Sequence, residues 1–158
     1  MSSGCCSGES ERGASIDRLF RPRGVAVVGA STNPAKIGYR VVENMVKSGY
    51  AGAIYPINPT GGEILGRTVY ASLGAISGPV DVAVLCVPAD CVESTLPECA
   101  DKGVGHLVII TSGFSEVGNL DLEKRIVEYA RGHGMRVLGP NIFGIYSAAS
   151  RLDATFGP

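Results

Sequence analysis

The sequence predicts an α/β protein in which helices cover both faces of a mainly parallel sheet of about five or more strands. Short apolar runs rich in β-branched residues alternate with amphipathic helical patterns almost to the end of the chain. Such runs are typical of strands buried on both faces, and their alternation with helices gives βαβ units with right-handed crossovers. The predicted fold is therefore a Rossmann-like, doubly wound domain.

Five strands are predicted, at residues 24–30, 52–59, 80–88, 106–111 and 135–141. Between the first two, the apolar residues from Ile37 to Met45 recur on one helical face, and Gly49 ends that helix. A helix from Asp90 to about Lys102 follows the third strand, with Asp90 and Glu93 spaced as a capping pair. We expect Pro97 to kink this helix or end it early. A last amphipathic helix runs from Leu122 to Gly132.

Length and composition suit one folded domain. The chain has 158 residues, of which 45% are hydrophobic and 18% charged. A formal net charge of -1 argues against a nucleic-acid partner. No apolar run approaches the roughly 20 residues of a membrane span, and the first fifteen residues lack the features of a signal peptide. We therefore interpret residues 1–15 as a disordered tail and 16–158 as the domain, and we predict a cytoplasmic location without a membrane partner.

The residues that follow the five strands predict a ligand cleft. In open parallel sheets, ligands bind outside the carboxyl ends of the strands. All five exits are rich in glycine, proline, serine, threonine or asparagine: Gly29-Ala30-Ser31-Thr32, Asn58-Pro59-Thr60-Gly61, Val87-Pro88-Ala89, Thr111-Ser112-Gly113 and Gly139-Pro140-Asn141.

The first of these loops indicates a phosphate-bearing ligand. The dinucleotide-binding fingerprint places three glycines within six residues, whereas here the next glycine after Gly29 is Gly38. The longer loop carries hydroxyl groups and Lys36, which together with free amides at a helix start suit phosphate oxygens.

The second strand argues against NAD. NAD-binding domains usually end this strand with an aspartate or glutamate that binds the ribose hydroxyls. Here the strand ends Ile57-Asn58-Pro59, and Glu63 follows only after a glycine turn. An NAD(P)-binding domain therefore becomes the less favoured interpretation.

Five segments together carry a resemblance to a known family. They are "VAVVGAS…KIG" (25–38), "INPTGGEILG" (57–66), "VDVAVLCVPA" (80–89), "VIITSGFSE" (108–116) and "GPNIFGI" (139–145). In order and spacing they resemble the N-terminal CoA-binding domain of NDP-forming acyl-CoA synthetases. That group contains ADP-forming acetate–CoA ligase and, more distantly, the α subunit of succinyl-CoA synthetase. The resemblance covers about residues 16–158.

The resemblance implies coenzyme A as the ligand and assigns roles along the cleft. The loop from Ser31 to Gly38 would wrap the CoA phosphates, and the turn after the second strand would contribute. The exits of the next two strands would line the rest of the CoA site. The predicted cofactor-binding residues are Gly29, Ala30, Ser31, Thr32, Lys36, Ile37, Gly38, Asn58, Pro59, Thr60, Val87, Pro88, Ile110, Thr111, Ser112, Gly139, Pro140 and Asn141.

The family also implies partner domains. Its Gly-Pro-Asn segment, here residues 139–141, precedes a short helix whose amino end faces a phosphohistidine. That histidine and an ATP-grasp unit lie in other domains or subunits of the synthetase. We expect neither His106 nor His133 to be catalytic, and we interpret both as surface or capping residues. Within residues 1–158, no catalytic residue and no metal ligand is predicted.

Three departures from the family pattern stand out. Thr60 replaces a frequent lysine, Pro97 replaces a helical residue, and Ile142 replaces a small polar residue or cysteine. Without that lysine, Lys36 has fewer neighbouring cations to help it bind the CoA phosphates. A free-standing CoA-binding protein with a regulatory or carrier role remains the alternative to a synthetase domain.

Overall fold

The computed structural model describes residues 15–158, so the predicted tail falls almost wholly outside the described residues. Four α-helices are described: α1 (Ile16–Phe20), α2 (Ile37–Lys47), α3 (Ala89–Asp101) and α4 (Leu120–Gly132). The same residues contain nine strands: β1 (Gly24–Val28), β2 (Ala53–Ile57), β3 (Glu63–Ile64), β4 (Arg67–Thr68), β5 (Val82–Leu85), β6 (His106–Ile109), β7 (Arg136–Leu138), β8 (Gly144–Ser147) and β9 (Leu152–Thr155).

The predicted fold class is confirmed. Five parallel strands form one sheet in the order β2-β1-β5-β6-β7. The chain first moves from β1 to β2 on one side and then crosses to β5 on the other side of β1. The carboxyl ends of β1 and β5 therefore flank the point where the winding direction reverses, where doubly wound sheets bind ligands.

Alternate side chains of the sheet pack into two separate cores. Ala83, Leu85, Leu107 and Ile109 face the apolar sides of α3 and α4. Val82, Val84 and Val108 lie on the other face, with α1, α2 and the β8–β9 hairpin. Every residue of β1, β5 and β6 is buried, as expected for central strands covered on both faces.

The helix after β5 differs from the sequence prediction in two respects. It begins directly after Pro88, and Asp90 lies in its first turn without capping it, while Glu93 pairs with Arg125 on α4 at 2.9 Å. The predicted capping pair was therefore wrong. The helix also continues through Pro97 to Asp101, because Leu96 and Cys99 on either side are fully buried in the core. The predicted early end of the helix was wrong too.

The β8–β9 hairpin was not predicted. It stands directly after residues 139–143, where the resemblance implied a short helix. The side-chain amide of Asn44 on α2 donates to the carbonyls of Thr155 and Gly157, at 3.0 and 2.9 Å, and so holds the hairpin against the helix. The hairpin contributes Ile145, Leu152 and Ala154 to the core.

The amino edge of the sheet contains buried polar groups. Asp81 precedes β5 and accepts hydrogen bonds from the backbone and guanidinium of Arg23 at 2.7–3.0 Å. Burial acts to raise the pKa of Asp81, but the hydrogen bonds and charge of Arg23 outweigh it and lower this pKa. His106 at the start of β6 is fully buried, so its interpretation as a surface residue was wrong. His133 is exposed and is the C-cap residue of α4, in agreement with its interpretation as a surface or capping residue, and its ring stacks on that of Tyr129.

Candidate functional site

The loop after β1 is shaped by two glycines that touch. Gly29 has a φ of +88°, and a Cβ there would lie 2.9 Å from the carbonyl of Cys86. Gly38, in the first turn of α2, would place a Cβ 2.2 Å from the carbonyl oxygen of Gly29. A side chain at either position would push the helix start away from the sheet. The two glycines therefore bring the amino end of α2 directly over the exit of β1.

Side chains inside this loop hydrogen bond to its own backbone. The Ser31 hydroxyl accepts from the amide of Asn33 at 3.1 Å, and the Asn33 side chain accepts from the amide of Ala35 at 2.9 Å. The carbonyl of Asn33 accepts from the amide of Lys36 at 3.0 Å. These bonds fold the loop without using the amides of Ile37 and Gly38, which begin the helix and have no carbonyl partner within it.

The turn after β2 is tied to the loop after β1. The Asn58 side chain donates to the carbonyl of Ala30 at 2.8 Å. Its oxygen accepts from both the amide and the hydroxyl of Thr60, at 3.0 and 2.7 Å. The hydroxyl of Thr60 is thus used inside the turn, while Pro59 is exposed.

An open cleft of about 400 Å³ lies between the exits of β1, β2 and β5. The lining residues from the sequence prediction are Gly29, Ala30, Ser31, Lys36, Ile37, Gly38, Asn58, Val87 and Pro88. Two further lining residues, Ala35 and Cys86, were not among those predicted. Ala35 lies within the predicted loop, and Cys86 directly precedes Val87. The exposed cation at its rim is Lys36, next to the amides of Ile37 and Gly38, which have no hydrogen-bond partner among the described residues.

Burial raises the pKa of the Cys86 thiol to about 12. This thiol stays neutral near pH 7, and so Cys86 contributes apolar wall rather than a nucleophile. Cys86 also packs against the core on this face of the sheet.

The other predicted residues do not line this cleft. Three of them lie in the same two loops but outside the lining of the cleft: Thr32, Pro59 and Thr60. The remaining six belong to the exits of β6 and β7: Ile110, Thr111, Ser112, Gly139, Pro140 and Asn141. These exits are joined to the exit of β5. The Thr111 hydroxyl donates to the carbonyl of Val87 at 2.6 Å, and the carbonyl of Thr111 accepts from the amide of Asn141 at 2.9 Å.

Glu116 follows the exit of β6 and does not act as a free carboxylate. It accepts hydrogen bonds from the amides of Gly113 and Phe114. The hydrogen bond from the Gly113 amide is the main reason that the pKa of Glu116 lies below its usual value. The carboxylate is therefore ionised, and it is hydrogen bonded to backbone amides of its own loop.

Within residues 15–158, no helix has the length and apolar character needed to cross a membrane. In the same range, no three histidine, cysteine, aspartate or glutamate side chains come together as metal ligands would.

Comparison with known proteins assigns the family. A family model described as a CoA binding domain matches residues 23–148. The α subunit of acetate–CoA ligase (ADP-forming) I of Pyrococcus furiosus is 50% identical over 150 residues, which are 91% of this chain and 32% of that subunit. Acetate–CoA ligase (ADP-forming) of Methanocaldococcus jannaschii is 44% identical over 135 residues, 85% of this chain and 19% of the ligase.

A solved structure agrees in fold and sequence. It is acetyl-coenzyme A synthetase 1 of Ca. Korarchaeum cryptofilum, described as dinucleotide forming, in complex with phosphate and ADP. It superposes with a TM-score of 0.89 at 49% identity, covering 92% of this chain and 31% of that one. The chain thus spans about a third or less of the length of these three proteins. The resemblance stated from the sequence is confirmed: this chain belongs to the CoA binding domain family.

Proposed function

We propose that this chain binds coenzyme A at the carboxyl edge of its sheet, with the CoA phosphates held by the loop from Ser31 to Gly38. The observation that carries the proposal is the cleft at the reversal point of the sheet. Its rim combines the unpaired amides of the α2 start with the exposed ammonium group of Lys36. Free amides, the positive end of a helix dipole and a lysine all favour phosphate oxygens.

The exit of β2 favours CoA over NAD. Asn58 occupies the place where NAD-binding domains carry a carboxylate, and its side chain is already bonded to Ala30 and Thr60. The Asn58 oxygen is therefore already used by Thr60, and this residue offers no carboxylate to the ribose hydroxyls. Thr60 supplies no positive charge, so the phosphate contacts of this chain depend on Lys36 and on backbone amides.

In the whole protein we propose a role in an ADP-forming acid–CoA ligase. Such an enzyme converts acyl-CoA, ADP and phosphate into acid, ATP and free CoA, through an acyl phosphate and a phosphohistidine. The 50% identity to an α subunit three times as long supports this role for the present chain as its CoA-binding part. The phosphohistidine-bearing and ATP-grasp domains would be its partners. The cytoplasmic location and the division into 1–15 and 16–158 stay predictions.

The histidines of this chain support a separate phosphohistidine domain. His106 is fully buried at the amino edge of the sheet. His133 follows the carboxyl end of α4 and precedes β7, and so it lies at the amino edge as well. Both are on the side of the sheet opposite the cleft and cannot reach a phosphoryl group bound there.

A free-standing CoA-binding protein with a regulatory or carrier role is the second candidate. It is favoured by the likeness to a conserved hypothetical protein from Pyrococcus furiosus, at 28% identity and a TM-score of 0.59. This chain covers 90% of that protein, which therefore has about the size of one such domain. The genomic reading frame after codon 158 separates the candidates: continuation into a second domain supports the synthetase.

Calorimetric titration with CoA, dephospho-CoA and NAD tests the proposed ligand. We expect CoA to bind most tightly, dephospho-CoA more weakly because it lacks the 3′-phosphate, and NAD not measurably. Equal affinities for NAD and CoA would contradict the assignment of the cleft to coenzyme A.

A further inference from the structure

The loop after β6 is closed by carboxylates of its own chain. The amides of Gly113 and Phe114 donate to the two oxygens of Glu116, the second at 3.2 Å. The next amide, that of Ser115, donates to Glu123 at 3.3 Å. Three consecutive amides thus point to one side of the loop, where two acidic side chains take up their hydrogen bonds.

The bonds of Glu116 reach back toward the proposed CoA site. Gly113 is one of its donors and is separated from Thr111 by Ser112 alone. Gly113 has a φ of +110°, and a Cβ at this position would lie 3.2 Å from the Cβ of Ala89, directly after the cleft residue Pro88. Gly113, two residues after Thr111, is therefore held between the start of α3 on one side and the Glu116 carboxylate on the other.

The core anchors the other half of this loop. Phe114 is fully buried, and its carbonyl accepts from the amides of Val117 and Asn119 at 3.0 and 2.8 Å. The backbone turn of residues 114–119 therefore does not depend on the side chain of Glu116. Residues 112 and 113 are anchored less firmly, since Ser112 is exposed and the carbonyl of Gly113 accepts a long hydrogen bond, 3.4 Å, from the side-chain amide of Asn119.

We propose that Glu116 is a positioning residue, whose carboxylate holds residues 111–113 in the conformation that lines the CoA arm. The inference rests on the proposed function, in which Thr111 and Ser112 contact the part of CoA beyond its phosphates. Glu116 itself does not touch CoA. Its removal leaves the phosphate loop intact and loosens only the wall on the β6 side.

Two ligands separate this role from a general effect on folding. The 158-residue chain and its Glu116→Ala variant are titrated with CoA and with 3′-phosphoadenosine 5′-diphosphate, the half of CoA without the pantetheine arm. We expect the variant to lose about 10-fold in affinity for CoA, the scale of one hydrogen bond to a charged group. Affinity for the nucleotide half should stay within about two-fold, because loop 31–38 is unchanged.

Formate tests whether the two lost hydrogen bonds account for the loss of CoA affinity. Added to Glu116→Ala, it can occupy the space of the lost carboxylate and accept from Gly113 and Phe114, and CoA affinity should return toward the wild-type value. Glu116→Gln keeps the side-chain length but offers one acceptor in place of two, and it should fall between wild type and Glu116→Ala. This variant also keeps the test decisive if Glu116→Ala fails to fold.

The control is Glu128→Ala, which removes an exposed carboxylate from α4 and should bind CoA like the wild type. Unchanged CoA affinity in Glu116→Gln and Glu116→Ala would overturn the inference. So would equal loss for both ligands, or the absence of any effect of formate. If the unaltered chain binds no CoA, the proposed function fails and this inference falls with it, whereas wild-type binding with unaffected variants contradicts the inference alone.

Discussion

The side-chain amide of Asn58 donates to the carbonyl oxygen of Ala30 at 2.8 Å, and so joins the exit of β2 to the loop after β1. The two residues are 28 positions apart, but parallel pairing of β1 with β2 places them at the same edge. The bond leaves Ala30 fully buried beneath a loop whose outer side is open to solvent. Asn58 therefore braces the floor of the cleft.

Replacing Asn58 with aspartate should weaken CoA binding by about 10-fold or more. The carboxylate cannot donate to the Ala30 carbonyl, and it adds negative charge close to the proposed phosphate site. Calorimetric titration measures the effect. Asn58→Ala removes the bond without adding charge, and so its affinity should lie between those of Asn58→Asp and wild type. Identical affinities for the three proteins would show that this brace does not shape the CoA site.

Lys36→Ala should weaken CoA binding by about 1–3 kcal/mol, the usual scale of a charge-assisted hydrogen bond. The ammonium group is the exposed cation of the cleft rim, and its effect should shrink as salt concentration rises. Lys47→Ala is a matched control, because Lys47 lies at the other end of the same helix, roughly 16 Å away. A salt-dependent loss of equal size in both variants would point to overall charge rather than to a contact by Lys36.

Gly38→Ala should destabilise the fold by about 1–3 kcal/mol and also weaken CoA binding. The added Cβ would lie 2.2 Å from the carbonyl oxygen of Gly29, so the start of α2 must move. Denaturant unfolding and CoA titration measure the two effects. Gly132→Ala, at the end of α4, has no atom within 4 Å of the added Cβ and should not be destabilised. A Gly38→Ala protein as stable as Gly132→Ala would contradict the close contact.

Acidification should destabilise the protein through His106. Burial, and then the charge of Arg136, lower the pKa of His106 in the folded chain below its ordinary value of 6.5. The unfolded chain therefore takes up this proton first as the pH falls. Above pH 6.5, neutral His106 does not reduce the free energy of unfolding. Below that pH the free energy of unfolding falls, by up to about 1.4 kcal/mol per pH unit.

Denaturant unfolding between about pH 8 and pH 5 measures this loss. His106→Leu should remove it and cost little near pH 8, because neither ring nitrogen of His106 has a hydrogen-bond partner among the described residues. His133→Gln, which changes the exposed histidine after α4, should keep the loss. If His106→Leu shows the same decline as wild type, another group is responsible.

Much of the fold could be predicted because its signals are local. Apolar runs mark the strands of the sheet, and the helical spacing from Ile37 to Met45 marks the buried face of α2. Parallel topology then places all strand exits at one edge, and the long loop between Gly29 and Gly38 indicates phosphate binding. Nine of the predicted site residues line the cleft for this reason.

The missed features depend on contacts between distant parts of the chain. Asp90 and Glu93 have the spacing of a capping pair, but Glu93 forms an ion pair with Arg125 on α4 instead. Pro97 disfavours a helix locally, yet the burial of Leu96 and Cys99 keeps the helix intact. The hairpin after residue 143 depends on Asn44, which lies about a hundred residues earlier.

The amino-acid sequence alone determined the α/β class and was enough to predict the sheet edge proposed for the ligand and the loop proposed for phosphate, because periodicity and glycine placement act over a few neighbouring residues. The tertiary structure decided which of those residues share one cleft. Cys86 lies against Gly29 because β1 pairs with β5 in a definite register, while the Thr111 hydroxyl donates to the carbonyl of Val87 and Thr111 is not among the lining residues. Such distances follow from strand pairing and side-chain packing across the whole sheet, and no short stretch of sequence contains them.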